Sequence, residues 1–490
     1  MKPGLISHAA LTLLAASLAG CGLLPKVGPD YQPAAPVAPV AWQAPLPHAG
    51  DPVALTDWWR QWDDPLLAEL IAAVEADNAS LPQAWARIQQ ARAEVVAAGA
   101  AEHPSLDASM EASHAAVAFI GPVMHQISRK ASLMSSWEID LFGGIARRQE
   151  AAEAGYSASQ TRWHAARVSL AAETAQAFLQ TRFLERRLQL AEADLASRRE
   201  TARLTRQLNA AGFQSDQAAA LADAGAAESA ASLISQRADY DQQIKALVAL
   251  SGIAEPELRS RLAARRGQFA QPAQFRIVSL PTALLAQRPD IAAAERDVAA
   301  ASAAIGQTES TRYPRLQLLG SLTPLRLTTD GSTISSNTWS IGAGLAMPLV
   351  DGGSIDANVD AAKAQYAAAA AQYRQKARDA VREVEQALVR LDAAGQREAD
   401  LRRAAAGYQQ ALSATRDRHQ AGLAGPLELE ESSRLALAAD TNLAAWQREQ
   451  AAAWVDLYRA VGGGWQAGAA VPNQTSTTSS TAKKQTEKPS

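Results

Sequence analysis

The chain has 490 residues, 47 basic and 50 acidic, for a formal net charge of −3. That balance lacks the basic surface a nucleic-acid partner needs, and a single cysteine excludes any intramolecular disulfide. Aromatic residues make up only 5%, few for a globular core and suited to close-packed, alanine-rich helices.

Residues 1–20 read as a secretory signal, with Lys2 ahead of an apolar stretch from Ala9 to Ala19. It closes on Leu18-Ala19-Gly20-Cys21, which resembles a bacterial lipobox. In a lipobox the Cys21 thiol is acylated and becomes the first residue of the mature chain. Several acyl chains together make a stable anchor where one would be marginal. Gly22 follows, so outer-membrane sorting is the better expectation. Past the signal, no apolar run reaches the ~18 residues of a membrane-spanning helix. Any further crossing of a bilayer must be made by a β-barrel.

Val27 to Pro52 is rich in Pro and Ala and reads as an extended arm. A helix follows Trp59, with Asp64 as N-cap and Pro65 at its first position. Another helix after Pro82 ends before Pro104 and could stack on a later return helix. Residues 104–114 and 130–141 then alternate with period two. Leu106, Ala108 and Met110 share one parity of the first strand, and Leu133, Trp137 and Ile139 share one parity of the second. Gly143-Gly144 breaks the pattern, and a proline-free run of 68 helix formers extends from Gly144 to Ala211. As one helix it would be ~100 Å long. Gly212 suits a left-handed C-cap, with a return helix over 213–251. Residues 253–278, holding Pro256 and Pro272, read as a linker.

The arrangement then recurs. Strands at 314–324 and 338–348 carry Leu316, Leu318 and Leu322, then Trp339, Ile341 and Leu345, on one parity each. A second 68-residue run covers Ser354 to Ala421, Gly422 ends it, and 423–461 return. Pro104 and Pro314, Tyr156 and Tyr366, Gly212 and Gly422, and Gly252 and Gly462 are each 210 residues apart, which argues for internal duplication. Val381, Val384, Leu388 and Leu391 are spaced three, four, three, as in a coiled-coil seam. The tail from Gln466 is rich in Ser, Thr and Lys and reads as disordered.

Four strands of about ten residues have the length of tilted membrane strands. Four cannot close a barrel, and lipid does not tolerate an open edge. The chain must therefore oligomerise, as two, three or four copies.

Several stretches resemble the TolC-like outer-membrane efflux factors, in their OprM-type lipoprotein branch. They are the lipobox at Cys21, Val27-Gly28-Pro29-Asp30-Tyr31, Trp59 to Leu70, and Trp137-Glu138-Ile139-Asp140-Leu141-Phe142-Gly143. Leu280-Pro281, Leu284-Leu285, Arg288-Pro289-Asp290-Ile291 and the closing Leu457 to Trp465 complete the match. The resemblance implies a mixed, mainly α fold: a trimeric α/β-barrel duct, internally duplicated, with four transmembrane strands and long coiled α-hairpins per protomer. The segments become a signal (1–20), an N-terminal arm and equatorial segment (21–60), two structural repeats (61–252 and 280–462), an equatorial linker (253–279) and a tail (463–490).

The function it implies is a passive exit duct in the outer membrane. Drugs or other small toxic compounds would be driven by an inner-membrane pump through a periplasmic adaptor. Duty in type I protein secretion, or as a non-channel scaffold tethering outer membrane to periplasmic partners, stays as the alternative. No cofactor is implied beyond lipid on Cys21. The seven histidines show no metal-ligand spacing and no phosphate loop is present, so no enzyme is expected. At the periplasmic tip the resemblance implies adaptor contact around Gly212, Phe213, His419, Gly422 and Leu423, and a gate at Leu427 and Glu431. This chain departs there from the family. His419-Gln420 stands where Tyr-Arg is usual, Glu431 stands for an Asp, and the first repeat lacks the matching leucine.

Overall fold

A computed structural model describes residues 26–33, 38–46, 55–118, 123–270, 272–277 and 281–471. Cys21 and the signal lie outside them. The described chain divides into two compact units. One comprises the residues up to 33 with Ala86–Gln160 and Ala292–Gln375; the other takes those from 38 to Trp85, Thr161–Ile291 and Lys376 onward.

The elements, after a 3-10 turn at Leu55–Gln61, are α1 (Pro65–Asp77), α2 (Ser80–Ala100), β1 (Ser105–Val117) and β2 (Met124–Ile139). Next come α3 (Gly144–Ala210), α4 (Asp216–Ser251), α5 (Glu255–Ala263), α6 (Pro281–Leu285) and α7 (Pro289–Ser310). The second half continues with β3 (Arg315–Thr329), β4 (Ser332–Ala346), α8 (Ser354–Gln420) and α9 (Pro426–Ala460). The order helix, two strands, long helix, return helix thus occurs twice. Both long helices have 67 residues, and the return helices have 36 and 35.

In the first unit the four strands form one antiparallel sheet in the order β1-β2-β3-β4. The strands exceed the expected ten residues: they have 13, 16, 15 and 15. The register explains why alternation understated them. Leu318 pairs with Trp137 and Ala343, and Leu322 with Leu133 and Trp339, so the apolar parities meet on one face. Beyond Leu322 that face turns polar, through Pro324, Arg326 and Thr328, while the ladder continues. It runs up to Asp330 and Gly331, whose φ of 47° and 87° make the tight reversal of a two-residue hairpin.

The Trp137 to Gly143 motif is the junction of sheet and helix. Trp137 Nε1 donates to Glu102 O at 2.9 Å, and Asp140 Oδ2 accepts from Ala146 N at 2.8 Å, satisfying an orphan donor of the α3 start. Asp351 does the same for α8, accepting from Ile355 N at 2.6 Å. The first described stretch of the arm, residues 26–33, is clasped, while residues 34–37 and 47–52 lie outside the described residues. Buried Arg147 donates to Val27 O, Gly28 O and Asp30 Oδ1, and Tyr31 donates to Glu295 Oε1 at 2.7 Å. Gly28 has φ 88°, and a Cβ there would lie 2.3 Å from Gly306 Cα, so backbone meets backbone.

In the second unit the core gathers Trp58, Leu67 and Leu70 with Phe178, Ile244, Leu247, Val384, Leu388 and Leu457. Trp58 stacks on Tyr458 at 5.1 Å and donates Nε1 to Ala273 O at 2.7 Å. Asp64 caps α1 through Leu66 N at 3.1 Å, as its position before Pro65 predicts. The helix seen packed on the first return helix is α1, with Asn78 Nδ2 just beyond it donating to Leu250 O. Glu255-Pro256 opens α5, which buries Leu258 and Leu262. Of the tail expected to be disordered, residues 466–471 are described, with Ala469 O 3.1 Å from His164 Nε2, and residues 472–490 lie outside the described residues. Val471 is the last residue described.

Two arginines bind this unit from within. Arg182 is 1% exposed and reaches Asp64 Oδ2 at 3.1 Å, Glu185 Oε2 at 2.9 Å and Leu262 O at 2.8 Å. Arg288 reaches Asp290, Glu383 and Ala460 O, each within 3.0 Å. That explains the Arg288-Pro289-Asp290 motif. Burial works against ionisation of Asp290, but Arg288 overrides it and holds the carboxyl below its ordinary value.

Candidate functional site

Each helical hairpin ends in the same device. Gly212 has φ 77°; its N–H reaches Asn209 O at 2.9 Å and Phe213 N–H reaches Leu208 O at 2.8 Å. Gly422 has φ 74°, with Gly422 N to His419 O at 3.0 Å and Leu423 N to Arg418 O at 2.8 Å. These are paired Schellman turns, where glycine takes the left-handed position at no steric cost. The return helices begin at Asp216 and Pro426, each four residues past the glycine, rather than at 213 and 423. The intervening residues are spent on the turn and on the caps Ser215 and Gly425.

The residue after a Schellman glycine usually folds back on its own helix. Phe213 and Leu423 do not: they are 78% and 71% exposed. Leu427 is 72% exposed and therefore does not pack within the chain. His419 does not project freely. Its Nδ1 lies 2.9 Å from Ala424 O, inside the turn, while Arg418 beside it pairs with Glu428 at 2.5 Å.

Glu431 sits one turn past Leu427, exposed, and is bound by Arg434 of its own helix at 2.6 and 3.0 Å. The Arg434 hydrogen bonds hold its carboxyl below the ordinary value. Near the tips its neighbour Glu430 is a carboxylate that joins the two hairpins. Arg198 of α3 donates to Glu430 Oε2 at 2.6 Å and to Asp194 Oδ2 at 2.9 Å. Ser229 of α4 donates to Asp194 Oδ2 at 2.8 Å, so α3, α4 and α9 share one clasp. Gly225 leaves the room, since a Cβ there would lie 3.1 Å from the Arg198 guanidinium. Burial pushes the Glu430 carboxyl up, against the opposing pull of Arg198. No motif of the sequence marks Glu430, but its place on α9 does. Leu429, Ser433 and Ala436 form the buried stripe of α9, and Glu430 borders it while Glu431 lies outside.

Among the described residues, no group of three or more His, Cys, Asp or Glu could hold a metal ion, and no helix is long and apolar enough to cross a membrane.

The family model "Outer membrane efflux protein" matches the chain twice, over residues 70–253 and 280–463, again 210 apart. The outer membrane protein OprJ of Pseudomonas aeruginosa is 30% identical over 93% of this chain and 95% of its own length. Nodulation protein T of Rhizobium leguminosarum bv. viciae is 29% identical over 90% of this chain and 91% of that protein. The solved structure of the outer-membrane channel OprN superposes with a TM-score of 0.78 at 30% identity, covering 90% of this chain and 99% of that one. The chain belongs to the outer membrane efflux protein family, the non-enzymatic outer-membrane channels of tripartite efflux systems, which work with an adaptor and an inner-membrane pump.

Proposed function

We propose that three copies of this chain close one passive exit duct for drugs or other small toxic compounds. The observation that carries this reading is the sheet. Its apolar parities coincide on one face, and β1 and β4 are left with unpaired edges among the described residues. An open edge in lipid is untenable, and joining β4 of one copy to β1 of the next removes both. Three copies give twelve strands, the number the family resemblance implies. The other face is richer in Ser, Thr, Gly and charges, though Met134, Leu319, Leu325 and Leu327 also lie on it, and it suits a water-filled lumen that selects weakly. A scaffold that only tethers the membrane would have no use for such a sheet.

The narrow end of the duct lies at the hairpin tips. Three Leu427 side chains brought toward one axis would narrow and partly dewet the opening, and three Glu431 carboxylates would favour cations only where their own Arg434 partners are drawn away from them. Phe213 and Leu423 supply exposed apolar ends to an adaptor, with Gly212, Gly422 and His419 holding the turns. The Arg198–Glu430 clasp fixes the two hairpins of one copy to each other. Adaptor binding opens the duct by shifting those hairpins. Single-channel recording of the purified trimer tests this. Leu427→Ala with Glu431→Ala is expected to raise conductance and to sensitise cells to large antibiotics. Unchanged conductance in an intact trimer would put the constriction elsewhere.

Cys21 carries the lipid anchor in this reading, supported by the lipobox before it. Cys21→Ser is expected to abolish metabolic palmitate labelling and to change fractionation. Labelling that persists would end that assignment.

A further inference from the structure

The charges of the sheet are sorted by face. Asp107, Glu111, Lys130, Glu138 and Arg315 all belong to the polar parity, as their register partners Met134, Leu325, Gln317 and Ala346 require. The apolar face carries no carboxylate on any of the four strands. Its only full charges are Arg129 and Arg326, and these two are direct partners across β2 and β3. Both are exposed. His114 and His125 lie on the same face nearer the hairpin turns, their rings 5.9 Å apart. Asp330, the nearest acid at the turn, is engaged by the backbone N–H of His125 at 3.0 Å.

Like charges directly opposite on adjacent strands are destabilising. Here no described carboxylate offsets them, and neither arginine has an ion pair among the described residues. Closing the sheet edges would not cover them, because β2 and β3 are the central strands. Their height is also informative. Arg326 is ten residues from Leu316, ~33 Å of strand, or ~25 Å of height at a 40° tilt, which matches the apolar band of a membrane barrel. The pair therefore stands where hydrocarbon gives way to headgroups, at the end away from the helices. Arginine forks match phosphate oxygens bidentately, and one phosphate can be shared by two forks.

We propose that Arg129 and Arg326 together bind the phosphate of an outer-leaflet lipid headgroup. The inference rests on the apolar face meeting lipid, as in the proposed function. The anion completes the surface of the sheet by neutralising the arginine pair, and ties one lipid to each protomer at a fixed position.

The test uses full-length protein in detergent, titrated with diphosphoryl lipid A and followed by native mass spectrometry. Wild type is expected to retain one lipid per protomer. R129Q/R326Q should weaken retention at least tenfold, and R129K/R326K should recover part of it, since charge returns without the fork. Chemically dephosphorylated lipid A should bind wild type and R129Q/R326Q equally weakly. Equal retention of diphosphoryl lipid A by wild type and R129Q/R326Q would overturn the proposal. So would displacement of the lipid by millimolar inorganic phosphate, which would mark a free-anion site. The lipid-facing reading fails by a different result, tolerance of Leu318→Arg in outer-membrane assembly, so the two failures are distinguishable.

Discussion

Arg182→Leu is expected to cost about 3–5 kcal/mol, because it leaves two carboxylates buried without their counterion. Asp64 and Glu185 are each 1% exposed, and Leu262 O loses its donor as well. The damage extends past the ion pairs. Asp64 caps α1, Glu185 also accepts from Gly267 N at 3.0 Å and from Tyr240 Oη at 3.3 Å, and the guanidinium lies 5.0 Å from the Phe178 ring centroid. Burial, with Glu185 beside it, pushes the Tyr240 phenol up to about 12, so it stays a donor across the physiological range. The measurement is thermal unfolding of the purified protein, with accumulation in the outer membrane as a second readout. The control is Arg203→Ala, whose partner Glu200 is exposed, and which should leave the transition unmoved. A melting point for Arg182→Leu within error of wild type would mean that the cluster contributes nothing net.

Arginine at Leu318 or Ile341 is expected to cost about 2–4 kcal/mol at mid-depth if that face meets lipid. Leu318 pairs with Trp137 and Ala343, and Ile341 pairs with Gly320, so a cation at either site enters the apolar field. Arginine at Gln317 or Ser340, one residue away on the other face, should be tolerated. Ser340 faces Ser321, with Oγ atoms 2.8 Å apart, in a polar setting. The readout is the amount of heat-modifiable oligomer, the proposed trimer, in isolated outer membranes. Equal assembly for both parities would show that the sheet does not face lipid.

These two predictions differ in how far they were legible beforehand. The faces of the sheet follow from alternation at Leu318, Trp339 and Ile341, which is local information. The long helices were equally legible, since glycine pairs bound runs free of proline, and Gly212 and Gly422 stop them where expected. The strand ends were not, because β3 and β4 are held beyond Leu322 by backbone pairing, which leaves no trace in side-chain pattern. The Arg182 cluster was invisible for another reason. Asp64 is 118 residues away, and nothing near Arg182 distinguishes it from the solvated arginines of the same helix. At the tip, Glu430 and Glu431 are adjacent and chemically alike. Only the burial of Leu429 on one side decides which of them meets Arg198.

The pairing of β2 with β3 has a consequence for how the protein is made. Trp137 and Leu318 are partners, yet 181 residues separate them. Contacts of such high order form late, because loop-closure entropy comes before any reward. A chain emerging into the periplasm amino-end first would present β1 and β2 as a lone hairpin with an apolar face and two free edges. A single hairpin is marginal in water, and such a species invites aggregation until the second half arrives. Biogenesis therefore needs a holding chaperone for that interval, and truncation between the repeats should yield a product that is degraded rather than half a channel.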